Sequence, residues 1–465
     1  MIPMTLAEVA AATGARLLGG ADPSTIIDGS VVIDSRQVEP GDLFVALPGE
    51  RVDGHDFAAH AVAAGAVAAV VDRAVPVPGL LVDDPRQALA GLARAVVERV
   101  APTVVAVTGS SGKTTTKDLL AFLLSRIGPV VAPPGSFNNE LGLPLTALRC
   151  DADTRVLVTE MGARGRGHIA ALCSITPPTV SVVLNVGSAH LGEFGSREAI
   201  AQAKGEIVEA LPADGLAVLN ADDPVVRGMA ARTSAAVCLV GESTAAQVRA
   251  TDVRLDPAGR ARFVLRDANS REAAVQLRLV GEHQVANALA VAAVGLHLGL
   301  SLPDVADGLS RAEAGSRWRM EVTERPDGVV VINDAYNANP ESVRAALKAL
   351  VSIAAGRTSW AVLGEMRELG AASLSEHDAI GRLVVRLDVS RLVAVGEGAR
   401  AIHLGASHEG SWGRESLWVP DLDAALALLR AEVQPGDVVL VKGSRLVGLE
   451  AVAQALIADA GQAAQ

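Results

Sequence analysis

The chain has only three cysteines, Cys150, Cys173 and Cys238, in 465 residues. They are scattered, odd in number and never spaced as CxxC. That excludes a disulfide framework and a thiolate zinc site, and it fits a reducing cytoplasm. Basic side chains are in deficit, with 41 Lys and Arg against 53 Asp and Glu, a formal net charge of -12. Nucleic-acid binders need a basic face for phosphate contacts, so that class is disfavoured. A local basic pocket for a phosphorylated substrate stays open. Aromatics are 2% of the chain, so Ala, Val, Leu and Gly must carry the core. The N-terminus lacks a basic stretch leading into an apolar run and a small-residue cleavage site. The apolar segment 285–302 comes nearest to a membrane span. Asn287 and His297 interrupt it, and it reads better as a buried, Ala-rich helix. No Asn-Lys-x-Asp is found, which argues against a guanine-nucleotide switch.

What is present is a long globular chain. Half of its residues are apolar, and 465 residues are too many for one core, so two to four domains are expected. Three blocks can be drawn. Residues 1–98 open with a helix at 5–13. They continue through strands at 30–34, 43–47 and 68–72, a helix at 55–65 and a helix at 86–100. Residues 99–314 hold strands at 104–107, 156–159, 180–185 and 216–220. These are continuous apolar runs, the pattern of parallel strands buried on both faces. Alternating strands follow at 251–280, then the Ala-rich helix at 282–298. Residues 315–465 repeat strand and helix four times, which predicts a second doubly wound sheet. The fold class is α/β.

The strongest chemical signal runs from Thr108 to Thr116, between a strand and a helix. Gly109, Ser110, Ser111 and Gly112 form a turn whose backbone N–H groups can face phosphate at a helix N-terminus. Lys113 would neutralise β/γ-phosphate charge, and Thr114, followed by Thr115, would offer a hydroxyl to Mg²⁺. Val107 stands where the eight-residue pattern has its first Gly, so this is a compact GxxGKTTT form. A glycine turn that merely starts a core helix would not explain the lysine and three threonines.

Glu160 and His190 each follow a strand, in 158–162 and 185–190. Ligands of open α/β sheets bind beyond the carboxyl ends of strands, so both belong near the cleft. Lys204, in 203–206, reads by itself as an exposed helix lysine. Asn287 must satisfy its amide either within the core or on a ligand such as adenine. Asp334 follows a strand and suits either ribose hydroxyls or a helix cap.

Together these residues resemble the Mur ligase family over nearly the whole chain. The GKTTT loop without its first Gly, then Glu160, His190, Asn287, Arg319 and Asp334, match the family's positions in order and spacing. Of the two arginines in 317–321, Arg319 is favoured because it precedes Met-Glu. The resemblance implies three domains: a UDP-substrate-binding N-terminal domain, a central P-loop ATPase with a mostly parallel sheet, and a Rossmann-like C-terminal ligase domain. Motifs at 34–36, 40–47, 53–57, 136–146, 334–340, 363–370 and 441–445 resemble one branch of the family. That branch joins D-alanyl-D-alanine to UDP-N-acetylmuramoyl-tripeptide during peptidoglycan precursor synthesis.

The resemblance further implies that ATP phosphorylates the tripeptide's terminal carboxylate and that the dipeptide amine attacks the acyl phosphate. Thr114 and Glu160 would hold one Mg²⁺. His190 and Lys204, the latter matching the family's carbamylated lysine, would serve a second. Asn287, Arg319, Asp334 and Asn337 would hold the nucleotide. Ser35, Arg36, Asn138 and Asn139 would meet the UDP-linked substrate. A cytoplasmic monomer without nucleic-acid or membrane partners is expected. Rival readings are a sister ligase adding the third residue of the stem peptide or resembling folylpolyglutamate synthetase, a transport ATPase or regulatory switch, and an inactive binding module.

Overall fold

In the computed structural model, residues 1–49, 52–187, 191–313, 315–410 and 414–459 are described. The fold is α/β, and three main sheets follow one another along the chain. The first has strand order Arg16–Leu18, Gly79–Leu81, Ala68–Val71, Leu43–Val45 and Val31–Val32, parallel except at its first edge. The helix Leu6–Thr13 begins at Thr5 with a capping box closed by Glu8.

The central sheet has nine strands. Its phosphate-loop strand, Thr103–Thr108, lies between Val156–Glu160 and Val180–Val183, both parallel to it and both later in the chain. Strand order therefore reverses at this strand, and the crevice of an open sheet forms at such a point, beyond the carboxyl ends. The outer strands Val248–Leu255, Arg260–Arg266 and Glu272–Val280 pair antiparallel and alternate in burial, as the sequence predicts for 251–280. The helix Gln284–His297 is buried through most of its length. No helix among the described residues is long and apolar enough to cross a membrane.

The third sheet has six strands. Glu321–Glu324 is antiparallel at one edge and the other five are parallel. Helices Pro340–Ala354, Ser373–Arg386, Arg400–Glu409, Leu422–Glu432 and Glu450–Asp459 alternate with its strands.

The cores show which blocks are welded together. Leu89, Leu92 and Val96 of the helix Pro85–Val100 share one apolar cluster with Leu143, Ala147, Ile169 and Leu172 of the central block. That helix runs through the expected boundary at 98 and ties the first block to the second. The third block has its own cores on the two faces of its sheet. Val280 of the central block joins one of these cores, and polar side chains line the cleft between the two blocks.

Two local expectations change. The strand expected at 30–34 is only Val31–Val32. Asp34 accepts from the Arg36 backbone N–H and bends the chain into the 3-10 turn Ser35–Gln37. The helix expected at 55–65 begins as a 3-10 turn, Gly54–Phe57, because Asp53 caps His55, and becomes α-helical only over Ala58–Ala64.

Candidate active site between the central and C-terminal blocks

A cleft of about 1270 Å³ opens at the carboxyl end of Thr103–Thr108, between the second and third blocks. Its floor is the phosphate loop. Asn185, at the end of the neighbouring strand, holds the loop: its Oδ1 accepts from the backbone N–H groups of Ser110 at 2.9 Å and Ser111 at 3.0 Å. Gly112 has φ +80°, and a Cβ there would lie 2.5 Å from Asn287 Oδ1. Only glycine allows both that backbone and that approach. Asn287 is buried, with its amide N–H donating to Gln284 Oε1 at 2.8 Å, and its side chain lines the cleft beside the loop.

The helix Lys113–Leu124 leaves the loop with Lys113, Thr114 and Thr115 lining the cleft and its later leucines in the core. Thr114 Oγ1 donates to Glu160 Oε2 at 3.0 Å and lies 3.0 Å from Ser136 Oγ. Glu160 is 1% exposed, and Asn138 Nδ2 donates to its other oxygen at 2.8 Å. Lys113 Nζ donates back to the Gly109 carbonyl at 2.7 Å. Burial pulls the Lys113 pKa down, Glu160 pulls it back up, and Arg319 lowers it again. The loop is thus a cationic, partly desolvated pocket, which an anionic phosphate would stabilise.

Lys204 is the clearest departure from its plain sequence reading. It is 5% exposed, lines the cleft, and makes no hydrogen bond or ion pair with any described residue. On the helix Arg197–Glu209 it sits in the inward stripe Ile200, Ala203, Ile207 and Val208. Burial, and then repulsion from Lys113, drive its pKa well below that of a free lysine.

The third block supplies the other wall. Arg319 is flanked by Trp318 and Met320 at φ +60° and +52°, left-handed conformations that non-glycine residues seldom adopt. The kink is held by Asp334, whose Oδ1 accepts from Met320 N at 3.1 Å. It aims the guanidinium across the cleft, where Nη2 donates to Thr114 Oγ1 at 3.2 Å and Ser136 Oγ at 3.3 Å. The guanidinium lies 4.1 Å from the Tyr336 ring centroid. Its Nε is buried without a partner among the described residues. Arg317 is exposed and does not line the cleft, so of the two arginines Arg319 is the one that enters it.

Asp334 caps no helix. Its Oδ2 accepts from Lys442 Nζ at 2.6 Å, while Asn339 caps the helix that follows. Asn339 also reaches the phosphate loop, donating to the Ser110 carbonyl at 3.2 Å. Asn337 lines the cleft; its carbonyl accepts from Lys442, and its side chain accepts from Ala338 N.

Not every expected residue gathers here. Asn139 and Thr115 line the cleft, and Asn139 Oδ1 also accepts from Gly142 N at 2.9 Å, where the helix Gly142–Ala147 begins. Ser35 and Arg36 lie apart in the first block. The Arg36 side chain is 85% exposed and paired with Asp34 at 2.7 Å. His190 lies outside the described residues. Conversely, Asn185, Ser136, Tyr336, Asn339, His283 and Lys442 line the cleft without having been singled out. Lys442 had a usable signal, a lysine directly after a strand in Val441-Lys442-Gly443-Ser444. Asn185 stands two residues beyond the end of another strand.

The arrangement suits nucleotide chemistry. Thr114, Ser136 and Glu160 are oxygen donors clustered at the loop, the donor type that Mg²⁺ takes alongside phosphates. Among the described residues no group of three His, Cys, Asp or Glu side chains forms a metal cage. Mg²⁺ requires none, because it is commonly bound through one or two carboxylates plus substrate phosphates and water.

Comparison with known proteins agrees. Residues 29–96 match the Mur ligase family catalytic domain, 107–295 the Mur ligase middle domain, and 318–445 the Mur ligase glutamate ligase domain. The UDP-N-acetylmuramoyl-tripeptide–D-alanyl-D-alanine ligase of Mycobacterium tuberculosis is 51% identical, covering 99% of this chain and 98% of the relative. A MurF crystal structure from Acinetobacter baumannii superposes with a TM-score of 0.89 at 35% identity, covering 98% of this chain and 99% of the other. MurF ligase from Thermotoga maritima, solved in complex with ADP, superposes at 0.82 with 33% identity, covering 94% and 99%.

Proposed function

We propose a reaction from one premise: the chain belongs to the Mur ligase family. It is an ATP-dependent ligase that forms a C–N bond. It joins the amine of D-alanyl-D-alanine to the terminal carboxylate of a UDP-N-acetylmuramoyl-tripeptide, giving the pentapeptide, ADP and phosphate. One observation carries the reading. The phosphate loop, the buried Glu160 and a cross-block arginine, Arg319, converge on Thr114 in a single cleft.

A free carboxylate will not acylate an amine in water, because oxide is a poor leaving group. The tripeptide carboxylate therefore attacks the γ-phosphorus of ATP, and the β–γ bridging oxygen leaves with ADP. The dipeptide amine then attacks the acyl carbon, and phosphate departs with the former carboxylate oxygen. Bringing ATP and a carboxylate together is electrostatically costly. Lys113, the loop N–H groups and Arg319 offset that repulsion, and Arg319 also links the nucleotide to the third block. Asn287, with Asp334 and Asn337 across the cleft, holds the adenosine. Asn138, which already orients Glu160, and Asn139 guide the incoming tripeptide. Ser35 and Arg36 meet its UDP end.

Thr114 and Glu160 are the residues that would hold Mg²⁺, which when bound shields phosphate charge. A second ion would fall to His190 and Lys204. Lys204 is buried and unpaired, and burial favours its neutral amine, the form that attacks CO₂. The new N–C bond, with loss of one proton, would leave an anionic carbamate in place of a cation. The three free cysteines suit the cytoplasm.

The test is an acceptor panel with ATP and UDP-N-acetylmuramoyl-tripeptides ending in diaminopimelate or lysine. Phosphate release and product mass should show D-alanyl-D-alanine used far better than D-alanine, L-lysine or diaminopimelate. Equal or better rates with a single amino acid would assign a sister ligase instead.

A further inference from the structure

We infer that Arg367 is the anchor for the acceptor's carboxylate, an assignment that rests on the reaction proposed above. D-Alanyl-D-alanine reaches the enzyme as a zwitterion. Its amine must approach the acyl carbon, which lies at the phosphate end of the cleft. Its carboxylate is repelled by those same phosphates and must face a cation farther along the third block's wall.

The cations on that wall can be sorted by what they already hold. Lys442 is buried against Asp334. Arg319 is turned onto the phosphate loop, where it donates to Thr114 and Ser136 and serves the nucleotide. Arg344 pairs with Glu376 at 2.7 Å. Arg445 pairs with Glu450 and lies over the Trp318 ring. Arg367 lines the same wall, is exposed, and its guanidinium enters no ion pair among the described residues.

Its backbone, by contrast, is pinned at consecutive residues. The Glu365 carbonyl accepts from Ser444 N at 3.0 Å, and Arg367 N donates to Ser444 Oγ at 3.0 Å. Met366 N donates to His377 Nε2 at 2.8 Å, and the other ring nitrogen of His377 donates to the Ser373 carbonyl at 2.7 Å. The Glu368 carbonyl accepts from Gly192 N of the central block at 3.2 Å. Glu368 itself has φ +65°. A loop fixed this firmly, with the Arg367 side chain left uncommitted, presents a charge at a set place. Guanidinium also matches a carboxylate with two parallel N–H donors.

The experiment compares D-alanyl-D-alanine with its C-terminal amide, which keeps the amine and the shape but not the charge. The wild-type enzyme should prefer the free acid by roughly ten- to hundred-fold in kcat/KM, the range of a charge-assisted contact. Arg367→Ala should lose that factor for the acid and little for the amide, so the preference collapses toward unity. Arg367→Lys should restore part of it. KM for ATP and for the tripeptide nucleotide should stay at wild-type values. An unchanged acid-to-amide ratio in Arg367→Ala would overturn the assignment. So would a loss confined to the KM of ATP or of the tripeptide, or a wild-type enzyme indifferent to the amide. A wild-type enzyme that does not ligate the dipeptide at all would overturn the reaction, and this inference with it.

Discussion

At the scale of single residues, Lys204 shows how a side chain's place in a pattern outweighs its chemical type. Ile200, Ala203, Ile207 and Val208 mark an inward stripe at helical spacing, and position 204 lies in it. The pattern was present in the sequence; what hid it was the expectation that lysine faces water. Because burial holds the folded pKa far below the unfolded value of about 10.4, the unfolded chain binds the proton more readily at neutral pH. The lysine therefore costs stability as pH falls below about 10, down to its folded pKa. Lys204→Met, an apolar side chain of similar length, should keep or raise the thermal midpoint at pH 7.5 without ATP or metal. Ligation should fall by roughly ten- to hundred-fold or more, as when a group that serves a metal is lost. A short carboxylic acid in solution should restore part of it. Calorimetry beside a phosphate-release assay reads both, and a fully active Lys204→Met enzyme would remove the carbamate from the account.

At the scale of elements, one residue joins helix capping to the site. Asn339 closes a capping box at the start of Pro340–Ala354, with its side chain accepting from Ser342 N at 2.9 Å. The same side chain donates through Nδ2 to the Ser110 carbonyl. Asn339→Ala should cost about 0.5–2 kcal/mol of stability through the lost cap, and it should raise KM for ATP. Asn339→Asp keeps an oxygen for the cap but has no amide to donate. Urea denaturation should show most of the stability regained, while KM for ATP stays raised. Recovery of both in Asn339→Asp would mean that the contact with the loop does not matter.

Other elements were legible to different degrees. Buried parallel strands read clearly because both faces are apolar. The Ser35–Gln37 turn did not, because a single Asp34 side-chain bond decides it. The kink that aims Arg319 was not legible either. Nothing local in Arg317-Trp318-Arg319-Met320 announces two left-handed residues, and it takes Asp334, 14 residues on and brought back by the next strand, to hold them.

At the scale of the whole molecule, the two block junctions differ in kind. The first is an apolar core shared through Pro85–Val100; the second is a cleft crossed by Arg319 and Asn339. Cross-block partners could not be read from the chain order, since Arg319 and Thr114 are 205 residues apart. The phosphate loop and Glu160 could, because strand ends fix their place. If the cleft activates the tripeptide as an acyl phosphate, one carboxylate oxygen must leave with the phosphate. The most direct test is therefore a tripeptide nucleotide carrying ¹⁸O in its terminal carboxylate, turned over with ATP and D-alanyl-D-alanine. Mass analysis should find one ¹⁸O atom in the released phosphate and the other in the new amide. Unlabelled phosphate, or label appearing in AMP, would contradict the account.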